Sequence, residues 1–167
     1  MDPNEELGAC IPRLRRYARA LLGARGGADD LVQDTLERAW RKLHLWRRGA
    51  ELRPWLFSIM HNLYVDQARR YGVDTLSLDE VDLDIPVRAT QEDLVEVHDL
   101  QGALALLPAE QRQVLLLVAL EQMAYKDVAR TLDIPLGTVM SRLSRGRERL
   151  RELMEGRPRV VPLKVVR

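Results

Sequence analysis

The residues best suited to a definite chemistry lie between Tyr125 and Leu150. Thr138, Ser141, Arg142, Ser144, Arg145 and Arg149 project from a helix whose other side repeats Val139, Leu143, Leu150 and Met154. Arginine offers a planar fork of donors that fits guanine edges or phosphate oxygens, and serine and threonine hydroxyls do either more weakly. A plainer reading exists for Arg142, Arg145, Arg147, Arg149 and Arg151: a solvated face paired with Glu148 and Glu152. What comes before the helix decides between them. Tyr125–Leu132 reads as a short helix with Val128, Ala129 and Leu132 inward, and Asp133-Ile134-Pro135 links it to the basic one. Two helices joined by so short a turn, the second basic on its open face, form a helix-turn-helix. Ala129 is small enough for a close crossing, Asp133 can adopt a left-handed turn conformation, and Ile134 plugs the angle.

A second set of polar residues precedes this one. Asn62 can present a paired donor and acceptor to a base edge, and Arg69 and Arg70 can hold phosphates. With Asp66 they occupy the side of a helix that faces away from Trp55, Leu56, Ile59, Met60 and Leu63. Trp46, beside Arg47 and Arg48, can stack on a base, whereas Trp40 and Trp55 fall on apolar faces and read as core. Asp30, Gln33, Asp34 and Glu37 recur at i, i+3, i+4 and i+7, a polar stripe that is either a docking surface or an ordinary wet helix face.

Helices must position all of these. Ile11, Leu14, Ala18, Leu21 and Leu22 define a first helix that Gly23 and Gly26-Gly27 end. A second opens at Asp29, read as its N-cap, and turns Leu31, Val32, Leu36, Ala39, Trp40 and Leu43 inward. Pro54 suits the first turn of a third. Later, Leu100, Ala103, Leu104 and Leu107 begin a helix that Pro108 interrupts, and Glu110 to Leu120 reads as the central helix of a second unit. Between the units lies an acidic stretch with Pro86 and few periodic apolar positions, read as an extended linker.

Charge follows the same division. The 167 residues carry 26 Lys/Arg and 25 Asp/Glu, a net +1 that alone argues against a nucleic-acid partner. Resolved along the chain it is +4 over residues 1–72, −8 over 73–100 and +5 over 101–167: two basic segments cancelled by an acidic one. Hydrophobic residues at 46% and charged residues at 31% suit a folded globular chain. No apolar run approaches the ~20 residues that span a bilayer. The acidic start lacks the opening of a signal peptide, so a cytoplasmic protein without membrane insertion is expected. Cys10 is the single cysteine, which leaves no internal disulfide or cysteine cluster and reads as inert core. His44, His61 and His98 lack metal-ligand spacing, no glycine-rich phosphate loop is present, and the paired carboxylates lie on exposed faces or in the linker. Neither an enzyme nor a cofactor or metal site is expected.

The stretch from Tyr125 to Leu150, with Leu107-Pro108-Ala109-Glu110-Gln111-Arg112 upstream, resembles region 4 of bacterial RNA polymerase sigma factors of the extracytoplasmic-function type. Asp29-Asp30-Leu31-Val32-Gln33-Asp34-Thr35 is similar to their region 2.2, and Pro54-Trp55-Leu56-Phe57-Ser58-Ile59-Met60-His61-Asn62 to their region 2.3 to 2.4 helix. The resemblance covers roughly residues 10–72 and 98–154. It implies an all-α chain: a region 2 bundle over residues 1–73, a flexible linker over 74–97, a region 4 helix-turn-helix over 98–156 and a tail over 157–167. It further implies that Asp30, Gln33, Asp34 and Glu37 dock on the clamp helices of the polymerase largest subunit. Trp46, Arg53, Asn62, Asp66, Arg69 and Arg70 would meet the minus-10 promoter element, melting it and capturing a flipped base. Thr138, Met140, Ser141, Arg142, Ser144, Arg145 and Arg149 would read the minus-35 element. Core RNA polymerase, promoter DNA and an anti-sigma factor are the implied partners of a chain that is monomeric when free.

Promoter elements two helical turns apart lie roughly 70 Å from each other, and the linker reaches about 80 Å fully extended. Its charge suits a basic channel of polymerase better than DNA. Some positions depart from the family's pattern: Met140 stands where many members have Lys or Arg, Asp133 where Gly is common, and Gly146 in place of the commoner Ala. Arg69-Arg70 is a shorter basic run than many members carry. Two other readings remain: a stand-alone helix-turn-helix regulator, which leaves the first unit unexplained, and a sigma-like decoy that sequesters an anti-sigma protein without touching DNA.

Overall fold

The computed structural model describes residues 2–46, 49–70 and 92–156. Among them every regular element is helical. In chain order these are α1 (Pro3–Leu22), a 3₁₀ turn at Gly23–Arg25, α2 (Ala28–Arg41), a second 3₁₀ turn at Leu43–Leu45 and α3 (Leu52–Arg70). Then come α4 (Glu92–Ala105), α5 (Ala109–Leu115) running into a π-helical turn at Leu116–Leu120, α6 (Tyr125–Leu132) and α7 (Leu136–Gly156). Helix α4 therefore starts six residues inside the stretch read as linker. Residues 71–91, Arg47, Arg48 and the tail 157–167 lie outside the described residues. None of the described helices is long and apolar enough to cross a membrane.

The first half packs α1, α2 and α3 around Leu14, Ala18, Leu31, Ala39, Leu56 and Met60, all fully buried. Tyr17 meets Phe57 edge to face at 5.0 Å, and burial pushes the Tyr17 phenol well above its ordinary pKa. Asp2 caps α1, its carboxylate accepting from the Asn4 amide. The expected cap of α2 is different: Gly27, at φ 83°, is the N-cap, and Asp29 sits inside the first turn, where its charge meets the helix dipole. Thr35 is buried on α2 because its hydroxyl donates to the Leu31 carbonyl at 2.7 Å. Cys10 packs partly buried against this core, and desolvation raises its thiol pKa, so it holds little of the reactive thiolate.

The second half surrounds α5 and its π turn with α4, α6 and α7 around Leu107, Val114, Leu117, Val128 and Val139. The C-terminal register of α7 differs from the expected one: Leu153 packs on the core while Met154 is exposed.

The two halves share one continuous core rather than standing apart. Helix α3 lies on α6, and α1 lies on α4, α5 and the π turn. Arg112, only 6% exposed, is the most elaborate polar joint: its guanidinium donates to the carbonyls of Leu104, Ala105, Leu107 and, across the halves, Leu21, at 2.8–3.1 Å. It thereby satisfies carbonyls left open where α4 and α1 end. A second joint centres on Glu121, whose buried carboxylate meets Arg16 at 3.3 Å and whose backbone carbonyl accepts from Arg53 at 3.1 Å. Thr131 donates to the Pro54 carbonyl at 3.5 Å.

Candidate functional site

The helix-turn-helix takes its shape from a few residues. Helix α6 ends because Asp133 adopts a left-handed conformation at φ 54°, ψ 53°. The Asp133 amide then bonds the Arg130 carbonyl and the Ile134 amide the Ala129 carbonyl, closing the helix as a glycine would. Ile134 packs against the core in the angle, and Pro135 leads into α7. Val139, Leu143 and Gly146 turn inward, which leaves Met140, Ser141, Ser144, Arg145 and Arg149 exposed and Thr138 half-buried.

Those side chains are not equally available. Ser141 donates its hydroxyl to the Thr138 carbonyl at 3.1 Å, keeping its lone pairs outward. Arg142 is drawn toward α5, 3.7 Å from Glu110. Arg149 pairs with Glu152 at 3.4 Å on an exposed face, where such a pair contributes little and yields readily to phosphate. Arg145 makes no ion pair among the described residues.

On α3, Asn62, Asp66, Arg69 and Arg70 are all exposed and share one face at i, i+4, i+7 and i+8. Two residues grouped with them stand elsewhere. Arg53 faces the second half, where it holds the Glu121 carbonyl. Trp46 packs partly buried against the core with its indole N–H shielded from solvent, so its ring is not a free stacking platform. The cause is the 3₁₀ turn at Leu43–Leu45, which folds the chain back after α2.

Asp30, Gln33, Asp34 and Glu37 are exposed along α2, and Arg41 extends the row by pairing with Glu37 at 2.6 Å. The indole of Trp40, expected in the core, is 59% exposed and continues this stripe beyond Gln33 and Glu37. The signal was in the spacing: at 3.6 residues per turn Trp40 lies about 140° from the centre of the arc of Leu31, Thr35 and Ala39. Exposed Leu45 stands just beyond the end of this helix.

Where the halves meet, a groove of about 720 Å³ opens between α1, α4, the π turn and α7. Leu100, Leu104, Leu116 and Leu120 give it an apolar floor, and Arg15 and Arg19 make one rim basic. Neither this groove nor the Glu121 and Arg112 joints carried a periodic signal, because each is assembled from residues far apart in the chain.

Known proteins share this arrangement. Residues 7–61 match the family described as the Sigma2 domain of PhyR, and residues 98–150 match Sigma-70, region 4. The ECF RNA polymerase sigma factor EcfG of Rhodopseudomonas palustris is 32% identical over 152 residues, covering 90% of this chain and 84% of its own. The chain belongs to the ECF RNA polymerase sigma factors. SigM of Bacillus subtilis is 30% identical over 129 residues, covering 75% of this sigma factor and 78% of its own length. The sigma factor RpoE of Bartonella quintana, solved in complex with the anti-sigma factor NepR, superposes with a TM-score of 0.77 at 34% identity, covering 93% of this chain and 98% of that one.

Proposed function

We infer that this sigma factor binds core RNA polymerase through α2 and directs initiation at promoters whose minus-35 element is read by α7 and whose minus-10 element is opened along α3. The observation that carries the reading is the joint exposure, in one chain, of an acidic stripe on α2 and a basic recognition face on a helix-turn-helix. On α2, Asp30, Gln33, Asp34 and Glu37 give a charged docking row, and Trp40 adds an aromatic anchor of the kind that dominates protein interfaces. On α3, Asn62 addresses a base edge while Arg69 and Arg70 hold the strand, with Asp66 between them. Arg53 reaches DNA only after releasing the Glu121 carbonyl, and Trp46 only after leaving its place against the core.

Thr138, Met140, Ser141, Ser144 and Arg145 meet base edges from the N-terminal half of α7, the half a recognition helix inserts deepest. Arg142 and Arg149 serve phosphates after leaving Glu110 and Glu152. An anti-sigma factor is the expected regulator, and the basic-rimmed apolar groove between the halves suits an apolar helix face with an acidic flank. The protein works in the cytoplasm, as a monomer until it meets polymerase, without catalysis of its own.

The test is transcription in vitro with purified core polymerase. Promoter-specific initiation is expected, and the double change Asp34→Lys, Glu37→Lys should abolish it by weakening core binding. The match of residues 7–61 to the PhyR domain favours a second reading, since PhyR of Bartonella quintana is described as an anti-anti-sigma factor complexed with NepR. A decoy of that kind binds an anti-sigma protein yet gives no transcript with core polymerase, so the same assay separates the two.

A further inference from the structure

The open face of α7 is polar except for Leu136 and Met140 near its N-terminal end and Met154 near the other. Met140, the fifth residue of the helix, is 53% exposed, and Leu136, one turn earlier on the same side, is 47% exposed. Met140 and Tyr125 of α6 border a shallow hollow of about 350 Å³ whose remaining wall is Leu143, Ser144, Arg147, Glu148 and Arg151. A single exposed apolar residue is ordinary. Here Met140 shares a hollow with the exposed Tyr125 and follows the exposed Leu136 by one turn, at the end of the helix that enters the major groove in the reading above, on which this inference rests. The edges of the major groove carry donors, acceptors and one apolar group, the C5-methyl of thymine.

We propose that Met140 reads a thymine of the upstream promoter element by packing its thioether against the C5-methyl group, with Tyr125 closing the contact from the protein side. Met140 has no hydrogen bond to give, so selection comes from two sides. The methyl gains a partner in an otherwise polar groove. A guanine or cytosine in the same place would have its groove-edge acceptors or amino group pressed against a thioether and stripped of water. Methionine suits the task because its unbranched chain adapts to the methyl's position. Ser144, one turn further on, is exposed to bond a neighbouring base edge, and Ser141, beside Met140, can accept there while its hydroxyl proton stays on the Thr138 carbonyl.

The experiment uses the full chain with core polymerase. Duplexes are first selected by the holoenzyme from a pool randomised over the upstream element, and each selected thymine is then replaced by deoxyuridine, which lacks only the methyl. One position is expected at which the replacement weakens binding about fourfold, the worth of one buried methyl. Met140→Leu should keep that sensitivity, and Met140→Ala should bind the thymine and deoxyuridine duplexes equally while binding core polymerase as the parent does. Selected duplexes insensitive to deoxyuridine throughout would overturn the proposal, as would an unchanged thymine preference in Met140→Ala. So would a loss of core binding in Met140→Ala with that preference intact, which would assign the apolar end of α7 to polymerase. Failure of the holoenzyme to select any upstream sequence would instead remove the reading of α7 as a recognition helix.

Discussion

The guanidinium of Arg112 faces four carbonyl oxygens, those of Leu21, Leu104, Ala105 and Leu107, and no carboxylate pairs with it among the described residues. Burial lowers its pKa from the ordinary arginine value. The group stays charged because charge-assisted bonds to carbonyl dipoles replace much of the water it gave up. Replacing it with methionine fills similar volume but leaves carbonyls at the ends of α1 and α4 without a donor. Arg112→Met should therefore cost about 3 kcal/mol or more in urea unfolding, and Arg112→Lys should recover only part, since an ammonium cannot span four acceptors as a planar fork does. A loss below about 1 kcal/mol would mean that water replaces the guanidinium. Spacing marks a residue as near a helix start but not as a hub for another helix's carbonyls, so Arg112 was legible in the sequence only as part of a motif. Asp133 was legible in full, because its left-handed conformation is demanded locally by the short turn.

The helices themselves were readable because each buries one face: Leu14, Ala18 and Leu21 on α1, Leu56, Ile59, Met60 and Leu63 on α3 and Val139 and Leu143 on α7 are buried as their spacing required. Trp40 is the exception: its indole is apolar in kind, but its angle on α2 sets it outside the buried arc. Gly146 shows a sequence expectation gaining a structural limit. A glycine inside α7 costs the helix about 1 kcal/mol relative to alanine, and Gly146 is buried where α7 crosses α5. A Cβ there would meet the Gln111 Cβ at 3.4 Å and a Leu115 methyl at 3.6 Å, contacts of ordinary van der Waals kind. Alanine fits without moving α5. Gly146→Ala should accordingly stabilise the protein by up to about 1 kcal/mol and raise its melting temperature by roughly 2–4 °C, read by thermal unfolding. A decrease would show that the two helices need the closer approach.

At the scale of the whole molecule, a chain of this length packed as one body is about 40 Å across, whereas promoter elements two helical turns apart would lie roughly 70 Å from each other. Residues 71–91 reach roughly 70 Å when fully extended. Engaging both elements at that spacing would require the shared core to part, and what would separate is the α3–α6 contact, the α1 contacts and the joints around Glu121 and Arg112. His61, on α3, lies in this boundary. Burial lowers its pKa below 6.5, the side-chain hydrogen bond with Gln113 on α5 opposes that shift, and the Arg142 charge on α7 adds to it. An opened state frees His61 to take up a proton near its ordinary pKa, while the closed state binds that proton only at lower pH. The closed state is therefore fully favoured above about pH 6.5 and loses ground as pH falls from there toward the depressed pKa. A pair of fluorophores placed on α2 and α7 of the full chain should report a longer mean separation at about pH 5.5 than at about pH 7.5. In His61→Gln, which keeps a hydrogen-bonding amide and cannot charge, that dependence should disappear. A separation that does not change with pH, or one that changes equally in His61→Gln, would show that the halves are held by their apolar contacts and the Glu121 and Arg112 joints alone.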